Sequence, residues 1–249
     1  MLLIDAGNTR VKWAFVKGDR WQQQGVVENS LVETLAVAFQ TLSAPSHIFA
    51  SNVAGEKMAQ NLRKVCASIS CPITFISAQD EQCGVRNLYQ HPAQLGSDRW
   101  SALVAAWRQE RSACLVVNCG TATTLDALSN QGEFLGGMIV PGIDMMQRSL
   151  AVGTADLKYA VGGLTGNWSQ FPRNTLDAMV SGSIQATVSA IQSQFNVLVQ
   201  QQGAIRCLLS GGAADSVQPH LKIPVLRVEN LVLSGLQIIG QENIKAGSI

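Results

Sequence analysis

The sequence has 249 residues, of which 47% are hydrophobic and 14% are charged, and its formal net charge is +1. This composition is typical of a compact globular protein and not of a disordered chain. The 18 basic and 17 acidic residues nearly balance and form no basic cluster, so we expect neither nucleic acid nor a membrane as a partner. Because the sequence shows no signal peptide and no membrane-spanning run, we expect a cytoplasmic protein.

The first predicted elements along the chain form a β-hairpin. Met1 to Ile4 is a short apolar run, and Val11 to Val16 is rich in residues that favour strands. The Gly-Asn pair at positions 7 and 8 is a turn signal between them. The pattern therefore predicts two antiparallel strands joined by a polar tip that contains glycine.

Helical and strand-like segments alternate in the following stretch. Leu31 to Leu42 and Lys57 to Cys66 are predicted helices, whereas Ser46 to Val53 and Ile73 to Ile76 are predicted strands. Alternation of this kind indicates a layered α/β fold.

A longer helix is predicted to follow Ser97, which is a favourable N-cap residue. Its apolar residues recur with helical spacing and would form one buried stripe. These residues are Trp100, Leu103, Val104 and Trp107.

The second half begins with another apolar run, Cys114 to Val117, and a polar turn that starts at Asn118. A helix is predicted after Asn174, with Asp177 at the third position beyond this cap. Ile205 to Leu209 is predicted to be a final core strand. The apolar stripe of the helix comprises Leu176, Val180, Ile184, Val188 and Ile191.

The two apolar runs and their turns form a faint internal repeat. In residues 2–9 and 115–122, an apolar strand leads to Asp5 or Asn118, then to any residue, a glycine, and a hydroxyl or amide residue. Repetition of one device suggests two related halves. We place them at residues 1–113 and 114–249.

A glycine turn after a buried strand can bind an anion, because backbone N–H groups approach closely where no Cβ intervenes. Asn8, Thr9 and Lys12 would add donors, and Asp5 could hold Mg²⁺ directly or through water. A single turn of this kind is better explained as an ordinary hairpin tip with an Asx-type cap. Two matching turns instead favour a site that binds a polyphosphate from both sides. The Gly211-Gly212 turn could allow an adenine ring to lie against its backbone.

Asp98 is the candidate catalytic residue. It lies in the first turn of the helix predicted after Ser97, where the helix dipole stabilises a carboxylate and a nearby phosphoryl group. A carboxylate there could accept a proton from an attacking hydroxyl group. An ordinary acidic first-turn residue is the alternative, and Arg99 could be either a carboxylate ligand or a solvated charge.

Taken in order, these motifs are similar to those of the type III pantothenate kinases. The resemblance extends from residue 5 to about residue 212, and the ordered set is far more specific than any one motif. Its blocks are Asp5-x-Gly7-Asn8-Thr9-x-x-Lys12, Tyr89-x-x-Pro92-x-x-Leu95-Gly96-Ser97-Asp98-Arg99, Cys119-Gly120-Thr121-Ala122-Thr123-Thr124-x-Asp126, Gly136-Gly137-x-Ile139-x-Pro141-Gly142, Asn174-Thr175-x-x-Ala178-Met179 and Ser210-Gly211-Gly212.

The resemblance implies the α/β fold of the acetate and sugar kinase/Hsp70/actin superfamily, in which two ribonuclease H-like halves have mixed sheets flanked by helices. It also implies phosphorylation of pantothenate by ATP, the first step of coenzyme A synthesis, with Asp98 as proton acceptor. By resemblance, the ATP contacts are Asp5, Ala6, Gly7, Asn8, Thr9, Arg10, Val11, Lys12, Thr121, Gly211 and Gly212. The implied pantothenate contacts are Tyr89, Gly96, Ser97, Asp98, Arg99 and Thr175.

The resemblance further implies Mg²⁺ as cofactor, a homodimer, and an activating K⁺ or NH₄⁺ ion at the position of Asn118. Many members carry aspartate there, so the asparagine predicts weaker binding of the monovalent cation. Two alternatives are another small-molecule kinase of this fold and a non-catalytic accessory protein linked to transcription.

Overall fold

The computed structural model describes residues 1–67, 69, 71–153 and 166–247. Within these residues the chain forms twelve strands and seven α-helices. The strands are β1 (Leu2–Ala6), β2 (Arg10–Lys17), β3 (Arg20–Glu28), β4 (Ile48–Asn52), β5 (Ile73–Phe75), β6 (Glu81–Gln82), β7 (Val85–Asn87), β8 (Cys114–Cys119), β9 (Ala122–Leu128), β10 (Glu133–Pro141), β11 (Arg206–Ser210) and β12 (Val225–Arg227). The helices are α1 (Leu35–Gln40), α2 (Glu56–Ala67), α3 (Ser97–Glu110), α4 (Ile143–Gly153), α5 (Thr175–Gln202), α6 (Ala214–Val217) and α7 (Leu231–Lys245).

The chain divides into two compact units, and neither is continuous in sequence. Unit 1 comprises Met1–Arg111, Gly132–Phe134 and Asn230–Ile249; unit 2 comprises Ser112–Gln131 and Leu135–Glu229. The predicted division at residue 113 therefore differs from these units mainly in α7. This helix packs on α3, β1 and β4 of unit 1, and the Trp21 indole N–H donates to its Gln237 side chain at 2.6 Å.

Unit 1 is built on a five-stranded mixed sheet with the order β3-β2-β1-β4-β5. The predicted hairpin is confirmed, because β1 and β2 pair antiparallel, while β4 joins the other edge of β1 in parallel. Alternate residues of β1 face opposite sides of the sheet. Leu2, Ile4 and Ala6 therefore enter one core with α1 and α2, and Leu3 and Asp5 lie on the side of α3 and α7.

Unit 2 repeats this plan in the sheet order β12-β11-β8-β9-β10. Strands β8 and β9 form an antiparallel hairpin, and β11 joins the other edge of β8 in parallel. The internal repeat predicted from the sequence is thus present as a repeated strand–turn–strand device. The mixed α/β architecture, with sheets flanked by helices, is also confirmed.

Helix α5 covers the sheet of unit 2, as its periodicity predicts. The predicted cap is confirmed, because the Asn174 side chain accepts a hydrogen bond from the Asp177 backbone N–H at 2.9 Å. Four members of the predicted stripe, Val180, Ile184, Val188 and Ile191, are buried in the core. The fifth prediction is wrong: Leu176 is 38% exposed, because the first turn of the helix precedes the part that packs on the sheet.

Two helix predictions in unit 1 also have clear outcomes. The segment predicted as one helix from Leu31 to Leu42 is instead a 3₁₀ helix, Asn29–Thr34, followed by the short helix α1. The stripe of α3 that includes Trp100 and Leu103 is buried, as predicted. No helix in the described part of the chain is long and apolar enough to span a bilayer.

Candidate active site

The first predicted phosphate loop is the tight turn between β1 and β2. The Gly7 backbone N–H donates to the Arg10 carbonyl at 3.1 Å, and the side chains of residues 8–10 are exposed at the tip. The side chains of Ala6 and Val11 are buried in the core of unit 1. At those two positions, only the backbone is available to a ligand.

Asp5 lies at the end of β1 and has Lys12 and Ser51 as its neighbours on the adjacent strands. Residues directly opposite each other in a sheet share a face, so these three side chains project from the same side. The pKa of Asp5 is raised to about 7, mainly by burial and also by the negative charge of Asp98, whereas the charge of Lys12 lowers it in part. Asp5 and Asp98 therefore form a pair of carboxylates that repel each other.

Asp98 is the second residue of α3, and its carboxylate turns back toward the start of the helix. Its Oδ1 accepts a hydrogen bond from the Arg99 backbone N–H at 2.8 Å. A Cβ atom at Gly96 would lie 2.6 Å from this oxygen, so a larger residue there would displace the carboxylate from this position. Burial raises the pKa of Asp98, although the hydrogen bond and positive charge of Arg99 lower it in part.

The prediction that Ser97 caps α3 is wrong. The N-cap is Gly96, and no side chain caps the helix. The Ser97 hydroxyl is buried and instead forms a 2.9 Å hydrogen bond with the hydroxyl of Ser51, which is fully buried on β4. A buried hydroxyl needs a partner, and this pair fastens the start of α3 to the strand beside Asp5.

Arg99 is buried, so its alternative interpretation as a solvated charge is wrong. Its Nη1 donates to the Tyr89 hydroxyl at 3.1 Å, and the guanidinium lies near the rings of Tyr89 and Phe134. The structure therefore brings together Tyr89 and Arg99, two predicted acceptor contacts that are ten residues apart. Cation–π contacts of this kind hold a guanidinium in a fixed orientation.

The second predicted phosphate loop, between β8 and β9, has a hydrogen-bond pattern similar to that of the first. The Gly120 N–H donates to the Ala122 carbonyl at 3.1 Å, and Thr121 is exposed at the tip. Asn118 has Ser210 as its neighbour on the parallel strand, just as Asp5 has Ser51. The correspondence thus extends to a third strand that the sequence repeat did not include.

The Gly211-Gly212 turn packs directly on the second loop. Gly211 has a φ of +99°, and a Cβ atom there would lie 2.3 Å from the Cys119 carbonyl oxygen. The Ala213 N–H donates to the same carbonyl at 3.0 Å. A Cβ atom at Gly212 would meet no atom within 4 Å among the described residues, so space beside this backbone is open.

Arg227 supports the Gly211 turn through hydrogen bonds to its backbone carbonyl groups. The sequence contains no motif that predicts this role. Its guanidinium donates to the carbonyl groups of Leu209, Gly211 and Val228 at 3.2 Å each. Its Nε also pairs with the exposed Asp215 at 3.2 Å. One planar donor group therefore determines the path of the chain around the glycine turn.

The predicted contact Thr175 is the exposed first residue of α5, in unit 2, whereas Tyr89 and residues 96–99 belong to unit 1. Ser51 and Arg227 were missed by the sequence analysis. A serine inside an otherwise apolar strand is a weak signal for Ser51, because a buried hydroxyl requires a partner.

Comparison with known proteins assigns a family to this arrangement. Residues 1–197 match the family model described as type III pantothenate kinase. A protein from Aromatoleum aromaticum named type III pantothenate kinase is 45% identical over 246 residues, which cover 99% of this chain and 100% of that protein.

Solved structures show the same fold at lower identity. A candidate Baf family transcriptional activator from Campylobacter jejuni has a TM-score of 0.60 at 20% identity, covering 98% of this chain and 100% of that one. A candidate 2-dehydro-3-deoxygalactonokinase from Sinorhizobium meliloti has a TM-score of 0.58 at 15% identity, covering 97% and 98%.

We predict that the Asp5→Asn variant changes stability in a pH-dependent way in the absence of metal and nucleotide. An acid with a higher pKa in the folded protein than in the unfolded chain takes up a proton on folding, so its ionisation destabilises the fold as pH rises from about 4 to about 7. The neutral variant should match the wild type near pH 4 and exceed its free energy of unfolding at pH 8 by about 2–4 kcal/mol.

Urea unfolding at several pH values measures this difference. The variant Asp80→Asn removes an exposed carboxylate and is the control. A stability difference for Asp5→Asn that does not vary between pH 4 and pH 8 would contradict the prediction.

Proposed function

Because this chain belongs to the type III pantothenate kinase family, we propose that it transfers the γ-phosphoryl group of ATP to the hydroxyl group of pantothenate. The products are ADP and 4′-phosphopantothenate, and the reaction is the first step of coenzyme A synthesis. The observation that carries the mechanism is the Asp5–Asp98 carboxylate pair beside an exposed glycine turn.

Asp98 acts as the proton acceptor in this proposal. As the pantothenate oxygen forms its bond to the γ-phosphorus, the bond between that phosphorus and the β,γ-bridging oxygen breaks, and the hydroxyl proton moves to the Asp98 carboxylate. The raised pKa of Asp98 supports the assignment, because a base is most effective when its pKa approaches the working pH. Gly96 and the Arg99 N–H keep the carboxylate oriented.

The two loops bind ATP through their backbone and short polar side chains. In unit 1 the contacts are the exposed turn at residues 8–10, the backbone on either side of it, and Lys12 beside Asp5. In unit 2 they are Thr121 and the Gly211-Gly212 turn, where the open space at Gly212 suits a flat ring lying against backbone. Backbone N–H groups are suited to phosphate oxygens because they cost no reorganisation.

Mg²⁺ fits the donors present in unit 1. Carboxylate oxygens are the ligands that this ion prefers, and a cation would offset both the burial and the repulsion by Asp98 that raise the pKa of Asp5. Asp5 would hold the ion directly or through water. When bound, Mg²⁺ neutralises charge on the phosphates.

Pantothenate carries a carboxylate, which calls for a fixed cationic partner. Arg99 provides this partner, since its guanidinium is already buried and oriented by the Tyr89 hydroxyl. Tyr89, Gly96 and Ser97 complete the part of the acceptor site in unit 1, and Thr175 contributes from unit 2.

We predict that Asp98→Asn lowers kcat by roughly 10²–10⁴-fold, the typical contribution of a general base, with ATP binding largely kept. A coupled assay with ATP, Mg²⁺ and pantothenate measures turnover, and calorimetry with ADP measures nucleotide binding. Asp80→Asn is the control for carboxylate loss. Phosphorylation of pantothenate by Asp98→Asn at the normal rate would show that Asp98 is not the base.

We expect this chain to bind a monovalent cation more weakly than family members that carry aspartate at the position of Asn118. Asn118 retains an amide oxygen but lacks the negative charge of an aspartate, which lowers its affinity for K⁺. We therefore infer that K⁺ and NH₄⁺ have little effect on the rate.

The matching experiment compares the wild type with Asn118→Asp in K⁺, NH₄⁺ or Na⁺ at constant ionic strength. The wild-type rates should agree within about twofold, whereas the aspartate variant should gain a response to K⁺ because it restores the charge. A wild-type enzyme that requires K⁺ or NH₄⁺ would overturn the inference.

We also propose a cytoplasmic homodimer that binds neither nucleic acid nor membranes. Met138 and Ile139 are consecutive residues of β10 and are 45% and 63% exposed. Consecutive side chains of a strand face opposite sides, so apolar groups are exposed on both faces of β10, which suits an interface.

Sedimentation velocity tests this assembly. We expect twice the mass of one chain for the wild type at micromolar concentration, and a shift toward the monomer for Ile139→Glu because the introduced charge would be buried at the interface. The exposed substitution Val37→Glu, on α1, is the control. A monomeric wild type would exclude the dimer.

A further inference from the structure

Asn29 contacts the first phosphate loop from outside its motif. It follows the last residue of β3, and its backbone N–H donates to the Thr9 carbonyl at 3.1 Å. Its side-chain Nδ2 donates to the Gly7 carbonyl at 2.9 Å. One residue therefore binds the carbonyl groups on both sides of Asn8, at the tip of the turn.

These two bonds determine which way the loop presents its N–H groups. The described peptides include no cis bond, and in a trans peptide the C=O and N–H groups point in opposite directions. Because the Gly7 and Thr9 carbonyls are turned toward Asn29, the N–H groups of Asn8 and Arg10 point away from it. At these two peptides the loop thus directs the N–H group, and not the carbonyl oxygen, away from the side that Asn29 occupies.

The other side-chain atom of Asn29 shows that this arrangement is unfavourable for stability. Its Oδ1 is buried and has no hydrogen-bond partner among the described residues. A buried acceptor without a donor lowers the stability of the folded protein. An amide is therefore retained where an apolar side chain of similar size would avoid this cost, and its remaining contribution is the donor to Gly7.

We propose that Asn29 is a positioning residue for the phosphates of ATP. It holds the Gly7–Asn8 and Thr9–Arg10 peptides with their N–H groups directed toward a bound polyphosphate. The inference rests on the proposed function only in identifying this turn as a nucleotide loop. It concerns phosphate binding and is independent of which acceptor receives the phosphoryl group.

The test is Asn29→Leu, which keeps the approximate size, removes the donor and removes the orphaned acceptor. We expect its thermal stability without ligand to equal or exceed that of the wild type. Its affinity for ADP·Mg²⁺ and for a non-hydrolysable ATP analogue should fall by roughly tenfold, the effect of losing about one hydrogen bond. The KM for ATP should rise in parallel, and the KM for pantothenate should change less than about twofold.

Asn130→Leu is the matched control. The Asn130 side chain also donates to a backbone carbonyl, that of Gln202 at 2.9 Å, and accepts from the Ala113 N–H at the opposite end of β8 from the second loop. This variant should lose thermal stability and keep its nucleotide affinity. The pair thus separates positioning of the loop from general support of the fold.

The outcomes distinguish this inference from the proposed function. If Asn29→Leu binds nucleotide within about twofold of the wild type, the positioning role is wrong. The role is equally wrong if Asn29→Leu loses both stability and nucleotide affinity and Asn130→Leu, for a similar loss of stability, loses affinity to the same extent. If the wild type binds nucleotide but does not phosphorylate pantothenate, the proposed function fails while the binding comparison still decides the role of Asn29.

Discussion

Asp5 and Asp98 are close enough for the charge of one to raise the pKa of the other, in a place where burial already disfavours ionisation. Such a pair destabilises the free protein when both carboxylates are charged, and a cation bound together with phosphates would reduce that destabilisation. The surrounding structure maintains the pair. Asp5 is held by the sheet, and Asp98 by α3, whose start is fastened to the sheet through the hydroxyls of Ser51 and Ser97.

Two of the glycine turns, the first loop and the Gly211-Gly212 turn, depend on hydrogen-bond donors that lie outside their motifs. Asn29 binds the carbonyls of the first loop, and Arg227 binds the carbonyls around Gly211. Backbone carbonyl groups need hydrogen-bond partners, and these two side chains provide partners at the glycine turns. Each unit therefore has a supporting donor at one glycine turn: the Asn29 amide at the first loop in unit 1 and the Arg227 guanidinium at the Gly211 turn in unit 2.

The fold and the acceptor specificity have different origins in this protein. The fold is shared with the candidate 2-dehydro-3-deoxygalactonokinase at only 15% identity, so the sheets and turns alone do not select pantothenate. The segment from Tyr89 to Arg99 contributes to acceptor specificity in a way that the sheets and turns do not. It places a buried, oriented guanidinium at the start of the helix that carries Asp98. Family membership and this local arrangement together support pantothenate as acceptor.

By itself, the sequence determined the elements whose signals are local. Periodicity and turn chemistry over a few residues determine the β1–β2 hairpin, the stripes of α3 and α5, and the Asn174 cap. The order of the motifs is read directly from the sequence and carries the resemblance. The family follows from that order. The first turn of α5 marks the limit, since periodicity did not reveal that Leu176 is exposed.

Only the tertiary structure decided which distant residues support the site. Asn29 is 22 residues from Gly7, and Ser51 is 46 residues from Ser97. The start of α3 shows the reason: Ser97 is a favourable cap by local rules, but burial beside Ser51 gives its hydroxyl a different partner. Likewise α7, at the end of the chain, belongs to unit 1, because packing brings together elements whose separation along the chain leaves no local pattern.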